Sequence, residues 1–487
     1  MAGTGDTDAK NPLLSVLKAD TGSGGASPGT PASPGSSLPV PGSGGSNLLS
    51  PTTSTGHGPA KAAPTAAELL QRVGVSGSTP STGAKWMAAR TSTLPYRGLG
   101  LGSSYFIEKQ AVVIDFGQAY TKVGFAMESR PRHIFASPEL RTLQRQGCSL
   151  STTAGVDQWI DILDRLLNRV FFYYLSVSPK DRRVVICDPV RVPSQFRSAL
   201  VHVLFKRLSV PAVSFVADLV MPLYLTGLHS GLVIDCGHEA ARVMATFAGV
   251  PIISALTAAA CGGRRAHRRL GRCLHARLPE AARGPWLEED AVLEDIAVRT
   301  GYVACTIPAA NAGEPSLSLK TDKAMPFKPP GGDLLQVPPE CRWEPFEVFF
   351  SAEGTDTGDP TVVDDDETLD EYCSCSSIPE AFVETIARLP TDVRSFVVQN
   401  VVVCGGCAAL RGLLPRLALE LHVALERDSR TAALAQRLLI TPLDFPPVSA
   451  VWTGGAIFAT LEGVTDYTRE DYDKGQPLPD WAREGYI

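Results

Sequence analysis

The chain has 487 residues, 44% hydrophobic and 20% charged, with 44 Gly and 38 Pro, and the excess of Gly and Pro over a globular average lies mostly at the N-terminal end. A formal charge of −6, from 45 basic and 51 acidic residues, argues against a nucleic-acid binder by bulk charge. The longest apolar stretch, Ala248 to Gly263, contains Pro251, Ser254 and Thr257 and is shorter than the ~20 residues a membrane helix needs. The start of the chain lacks the basic and apolar regions of a signal peptide. Eleven scattered cysteines fit a reducing compartment, cytosol or nucleus, better than a disulfide framework.

From Met1 to about Ile107, Gly, Ser, Thr, Pro and Ala dominate, and only Leu13 to Leu17 and Ala66 to Val73 form apolar clusters. Such a segment cannot bury enough surface to offset roughly 1–2 kcal/mol of backbone entropy per ordered residue, so disorder is expected. The remainder is too long for one ordinary core and predicts two large lobes.

A string then repeats. Ala111-Val112-Val113-Ile114-Asp115-Phe116-Gly117 returns 120 residues later as Gly231-Leu232-Val233-Ile234-Asp235-Cys236-Gly237. Each copy is an all-apolar run, the mark of a buried strand, stopped by an Asp and a Gly that make a tight turn. Ala119 to Ala126 and Ala241 to Phe247 alternate as returning strands, so both copies predict β-hairpins. Between them Trp159 to Tyr174 shows helical spacing, Arg183 to Ile186 reads as a strand and Ser194 to Leu208 as an amphipathic helix, an alternation of β and α. A third glycine site, Cys404-Gly405-Gly406, follows the buried strand at Val401 and leads into a helical stretch, Leu413 to Glu426. A fourth is Thr453-Gly454-Gly455-Ala456. Pro279 to Ser377 is poor in pattern and holds the acidic run Asp364-Asp365-Asp366-Glu367.

Backbone amides at a glycine turn can converge on an anion, and a neighbouring carboxylate can hold the water shell of Mg²⁺. One Asp-x-Gly commonly does no more than close a turn. Two of them, followed by two Gly-Gly sites, suggest a phosphate clamp.

With these motifs the chain resembles the actin superfamily over about residues 95 to 487. Asp115 to Gly117, continuing through Lys122-Val123-Gly124-Phe125-Ala126 to Pro131-Arg132, is similar to the first actin phosphate loop, and Asp235-Cys236-Gly237 to the second. Met221 to Gly227 is similar to the connecting helix, Cys404 to Cys407 to the adenosine turn, and Val451 to Ala456 to the last turn. Glu344 to Phe350 and Asp392-Val393-Arg394 favour actin over sugar kinases or chaperone ATPases. The resemblance implies an α/β, two-lobed fold with a duplicated βββαβα core: a disordered tail at 1–107, a first lobe at 108–228, a second at 229–450 with an irregular subdomain at about 279–377, and a C-terminal return to the first lobe at 451–487. It implies a cleft for ATP or ADP with Mg²⁺ in a structural role, formed by Asp115, Gly117, Lys122, Asp235, Gly237, Gly405 and Gly406, with Asp115 and Asp235 reaching the metal through water.

Departures from the actin pattern redirect the function. Gln118-Ala119 and His238-Glu239 replace small residues of the two loops, so side chains crowd where backbone would approach phosphate. The position of the water-orienting Gln falls at Asp218, and the adenosine-contacting pair at Ala297-Val298. Hydrolysis is expected to be weak or absent. Only about twenty residues, Pro138 to Val156, stand where actins insert the lobe that grips the next subunit. This omission most resembles the actin-related subunits that cap the pointed end of the dynactin filament. It implies actin-like filament subunits and pointed-end dynactin subunits as partners, dynein indirectly, no nucleic acid or direct membrane contact, and a cytoplasmic, cytoskeletal location. The alternatives are a nuclear actin-related subunit of a chromatin-remodelling complex and an active ATPase of the superfamily.

Other motifs read more plainly. Cys404 and Cys407 have the spacing of a redox or zinc pair, but no second pair exists. His238-Glu239 lacks the second His of a zinc-protease helix and reads as a modified phosphate loop. Arg264 to Arg272, a basic run, reads as a solvated helix face or a patch matched to an acidic partner, rather than as a nucleic-acid or anionic-lipid site.

Overall fold

A computed structural model describes residues 109–138, 153–189, 194–304, 323–350, 373–461 and 466–479. The expected disordered tail at 1–107, the acidic run at 364–370 and most of the 138–156 connection lie outside the described residues. In chain order the strands are β1 (Val112–Phe116), β2 (Tyr120–Phe125), β3 (His133–Ala136), β4 (Val184–Asp188), β5 (Ala212–Ala217), β6 (Gly231–Cys236), β7 (Ala241–Phe247), β8 (Val250–Pro251), β9 (Thr257–Ala259), β10 (Met325–Phe327), β11 (Leu335–Val337), β12 (Val401–Cys404) and β13 (Tyr467–Thr468).

They build two principal sheets. The first runs β13-β5-β4-β1-β2-β3, with β1, β4 and β5 mutually parallel and the β1-β2-β3 meander antiparallel. The second runs β12-β6-β7-β8, with β9 on β7 and β12 parallel to β6. A parallel bridge from Val401 to Ile440 extends it. The same hairpin followed by parallel strands thus occurs twice, as expected from the repeated string. β1 and β6 are buried along their whole length, which is why both read as unbroken apolar runs rather than as alternation.

Each sheet has its own core. Helix Thr153–Asn168 and helix Ser194–His202 cover the first sheet, with Trp159, Leu163, Leu167, Phe196, Phe205 and β-strand valines buried together, and the Trp159 and Phe196 rings meet edge to face at 5.2 Å. Helices Gly263–Arg277, Ile378–Arg388 and Leu413–Arg427 supply Leu270, Leu274, Phe382, Ile386, Leu417 and Leu421 to the core of the second. A third cluster draws on both sheets: Val113, Val185 and Val216 from one, Val233, Met244 and Val402 from the other, around Met221, Leu223 and Trp452.

The fourth glycine site is corrected here. Gly454 and Gly455 are not in a turn but inside helix Ala450–Phe458. A Cβ on Gly454 would stand 2.0 Å from the Met221 carbonyl oxygen, and one on Gly455 2.6 Å from Cys187 Sγ. Gly454 lets two backbones touch and Gly455 makes room for the Cys187 side chain, and helix propensity yields to that packing. Trp452 Nε1 meanwhile donates to the Val113 carbonyl at 3.0 Å, fastening the helix to β1. Within 279–377, sequence reasoning also passed over helix Asp290–Thr300. β13, near the C-terminus, closes on β5 in the first sheet.

Candidate functional site

The two hairpins bring the repeated aspartates to corresponding places, and their register decides what faces them. Asp115 lies across from Lys122 on β2, and Asp235 across from Arg242 on β7. Lys122 Nζ sits 2.7 Å from Asp115 Oδ2. Burial would lower the Lys122 pKa, but the Asp115 carboxylate outweighs it and the group is held charged above its ordinary value. Arg242 spans two carboxylates, with Nη2 at 2.5 Å from Asp235 Oδ2 and Nη1 at 2.8 Å from Asp218 Oδ2. Asp218 is buried at the end of β5, its Oδ1 accepting from the Leu219 amide at 2.7 Å. Burial pushes its carboxyl up to about 6, Asp235 adds to the rise and Arg242 opposes it.

The glycine turns close on each other. Gly405 has φ +95°, and a Cβ there would lie 2.5 Å from Asp235 Oδ1 and from the Cys236 carbonyl, so only glycine lets the third turn pack on the second hairpin. Cys407 Sγ donates to the Gly237 carbonyl at 3.2 Å. Burial pushes the Cys407 thiol up to about 12 and the Cys404 thiol well above its ordinary value, so both are kept protonated and unreactive. A Cβ on Gly117 or Gly237 would meet the carbonyl of Tyr120 or Ala240 within 2.8 Å. Each of these glycines is needed by its own hairpin. Gly406 alone of the four has open space beside it.

Helix Gly263–Arg277 begins beside the second hairpin, where its first amides could hold an anion. Instead the Gly263 amide donates to the Gly237 carbonyl at 3.1 Å and the Arg264 amide to the His238 carbonyl at 2.8 Å. Arg264 Nη1 pairs with Glu239 Oε2 at 3.2 Å. The basic run is therefore partly turned inward, with Arg265 donating to the Ala260 carbonyl at 2.7 Å.

These surroundings test the expected nucleotide and metal. Asp115 and Asp235 each face a cation of the same chain, Asp218 shares one of those cations, and Glu239 has another. The helix amides that could meet phosphate are bonded to turn carbonyls. Any Mg²⁺ or triphosphate held through Asp115 and Asp235 would share these carboxylates with Lys122 and Arg242. The positions where the actin resemblance implies adenosine contacts carry no polar side chain: Ala297 is buried in the core and Val298 is exposed.

Two contacts were not read from the sequence. Tyr120 Oη donates to Glu294 Oε2 at 2.6 Å, linking β2 to helix Asp290–Thr300. His238, His267 and Asp290 converge, with His238 Nε2 at 3.3 Å from Asp290 Oδ2 and His267 Nδ1 at 2.7 Å from Asp290 Oδ1. Burial would raise the Asp290 carboxyl, but the two imidazoles hold it well below the ordinary carboxylate range. The seven-residue spacing of Asp to cation in both hairpins was a legible signal for Lys122 and Arg242. Nothing in the local sequence joins His238 to His267.

Comparison with known proteins adds the family. The sequence profile of the Actin family matches residues 142–282 and 286–476. The chain is similar to actin-like protein 7B of Mus musculus, at 25% identity over 387 residues that cover 72% of this chain and 82% of that protein. It is similar to actin-like protein 9 of Bos taurus, at 26% over 398 residues covering 75% and 86%. With actin-like protein 7A of Macaca fascicularis it shares 24% identity over 446 residues, covering 85% and 94%.

Proposed function

Because the chain belongs to the actin family, we propose that it is a structural, non-hydrolysing member that adds to the end of an actin-like filament and stops further growth there. In its finer form the proposal is that of actin-related protein 10: the chain caps the pointed end of the dynactin filament, binds pointed-end dynactin subunits, and works in the cytoplasm in support of dynein transport. One observation carries the reading. β3 ends at Ala136 and, among the described residues, the next helix of more than one residue opens at Thr153, so the chain between them is too short for the subunit-gripping lobe that the actin resemblance implies at this place. A subunit built so can be joined from one side and offers less to a subunit arriving at the other.

The ion pairs of the cleft support the non-hydrolysing part. Arg242 stands between Asp218 and Asp235 and competes with water or metal for both carboxylates. A nucleotide accepted by the glycine turns would serve a structural role.

The test is affinity purification of the tagged full-length chain from cytosol with mass spectrometry, paired with filament elongation measured separately at each end. Recovery of an actin-like filament protein with pointed-end dynactin subunits, and growth slowed at the pointed end alone, is the expected result. Recovery of chromatin-remodelling subunits would overturn the dynactin form. Magnesium-dependent phosphate release by the isolated chain, abolished by Asp235→Ala, would overturn the non-hydrolysing form.

A further inference from the structure

Three segments far apart in the chain deliver metal-ligating atoms to one point: His238 from the β6–β7 turn, His267 from the first turns of helix Gly263–Arg277, and Asp290 from the start of helix Asp290–Thr300. One ligand atom from each lies within 4.8 Å of the others. The 3.3 Å from His238 Nε2 to Asp290 Oδ2 is close to the ligand-to-ligand edge of a tetrahedron with bonds of about 2.0–2.1 Å. The imidazoles are largely buried, with side-chain exposures of 9% for His238 and 10% for His267, whereas Asp290 keeps 36%. His238 Nε2 is buried and makes no well-directed hydrogen bond. In the tautomer protonated at Nδ1 this nitrogen turns a lone pair toward the cluster, as a metal ligand requires.

We propose that His238, His267 and Asp290 form a binding site for a divalent transition ion of the zinc class, in which two imidazole nitrogens and one carboxylate oxygen ligate the metal and a fourth position is left to water. Borderline-soft nitrogen ligands select Zn²⁺ over Mg²⁺, which takes oxygen ligands in octahedral geometry. The Asp290 face is the more exposed one and gives the ion its way in. The bound ion would join the second hairpin turn to two helices, at the place where the actin resemblance implies phosphate. This inference does not rest on the capping proposal.

The experiment is titration of the chelator-treated full-length chain with Zn²⁺ by calorimetry, followed by Co²⁺ substitution and absorption spectroscopy. Expected are one high-affinity ion per chain, proton release on binding, and a Co²⁺ spectrum of a low-coordinate nitrogen and oxygen site without a thiolate charge-transfer band. His267→Gln and Asp290→Asn should each weaken binding at least about tenfold, with circular dichroism confirming that the variants fold, while Cys407→Ser should leave it unchanged. A thiolate band, affinity unaltered in the His267 and Asp290 variants, or no binding by the unsubstituted chain would each overturn the proposal.

Discussion

The Tyr120 hydroxyl donates to Glu294 at 2.6 Å, so the first hairpin, in one sheet, is hydrogen-bonded to a helix that packs in the core of the other. Burial raises the Glu294 carboxyl and this hydrogen bond opposes the rise. Tyr120→Phe should cost about 1–2 kcal/mol, raise the Glu294 pKa further and speed amide hydrogen exchange in helix Asp290–Thr300 above its effect on the remainder. Uniform exchange rates in variant and parent would show that the bond does not hold the two parts together.

Arg242 pairs with both Asp218 and Asp235. Arg242→Met leaves two buried carboxylates side by side, and a loss of about 3 kcal/mol in urea unfolding at neutral pH is expected. Adding Asp218→Asn removes one of the stranded charges and should recover a good part of that loss, a coupling that a double-mutant cycle reads directly.

Asp218 also sets a pH dependence. Its folded-state value of about 6 lies above the ordinary 3.8, so the folded chain binds the proton more tightly than the unfolded one. The stability this contributes is fully present below pH 3.8 and is lost as pH rises through about 6. Relative to Asp218→Asn, the parent should therefore gain stability as pH falls from 7.5 toward 4, by a few kcal/mol at most. Unfolding midpoints of both proteins across that range would measure it, and parallel curves would count against it. Asp290, held low by its histidines, works in the opposite sense, with stability lost as pH falls below the unfolded carboxylate range.

Gly454→Ala places a methyl group 2.0 Å from the Met221 carbonyl oxygen. On helix propensity alone the change would stabilise by roughly 1 kcal/mol. Overpacking between two backbones should win, giving a net loss of about 2 kcal/mol or more, visible as a lowered melting temperature. Gly406→Ala, with open space beside it, should be nearly silent in the same measurement.

By itself, the sequence determined the two hairpins, the buried strand at Val401, the helices that cover them, and hence an actin-like duplicated core. An apolar run of five or six residues stopped by Asp and Gly has few conformations available, and its recurrence after 120 residues states the duplication outright. The tertiary structure alone decided what the aspartates do. Which cation faces Asp115 or Asp235 depends on strand register, and the role of Asp218 depends on a strand end meeting a hairpin from the other sheet. The Gly454-Gly455 pair reads as a turn until Met221 is brought against it, because glycine serves close backbone approach as well as turns. His267 is one residue of a basic run until helix packing sets it beside His238 and Asp290. Local chemistry is written along the chain, whereas the pairing of charges and ligands is a matter of distance, and only folding sets distances between residues far apart in sequence.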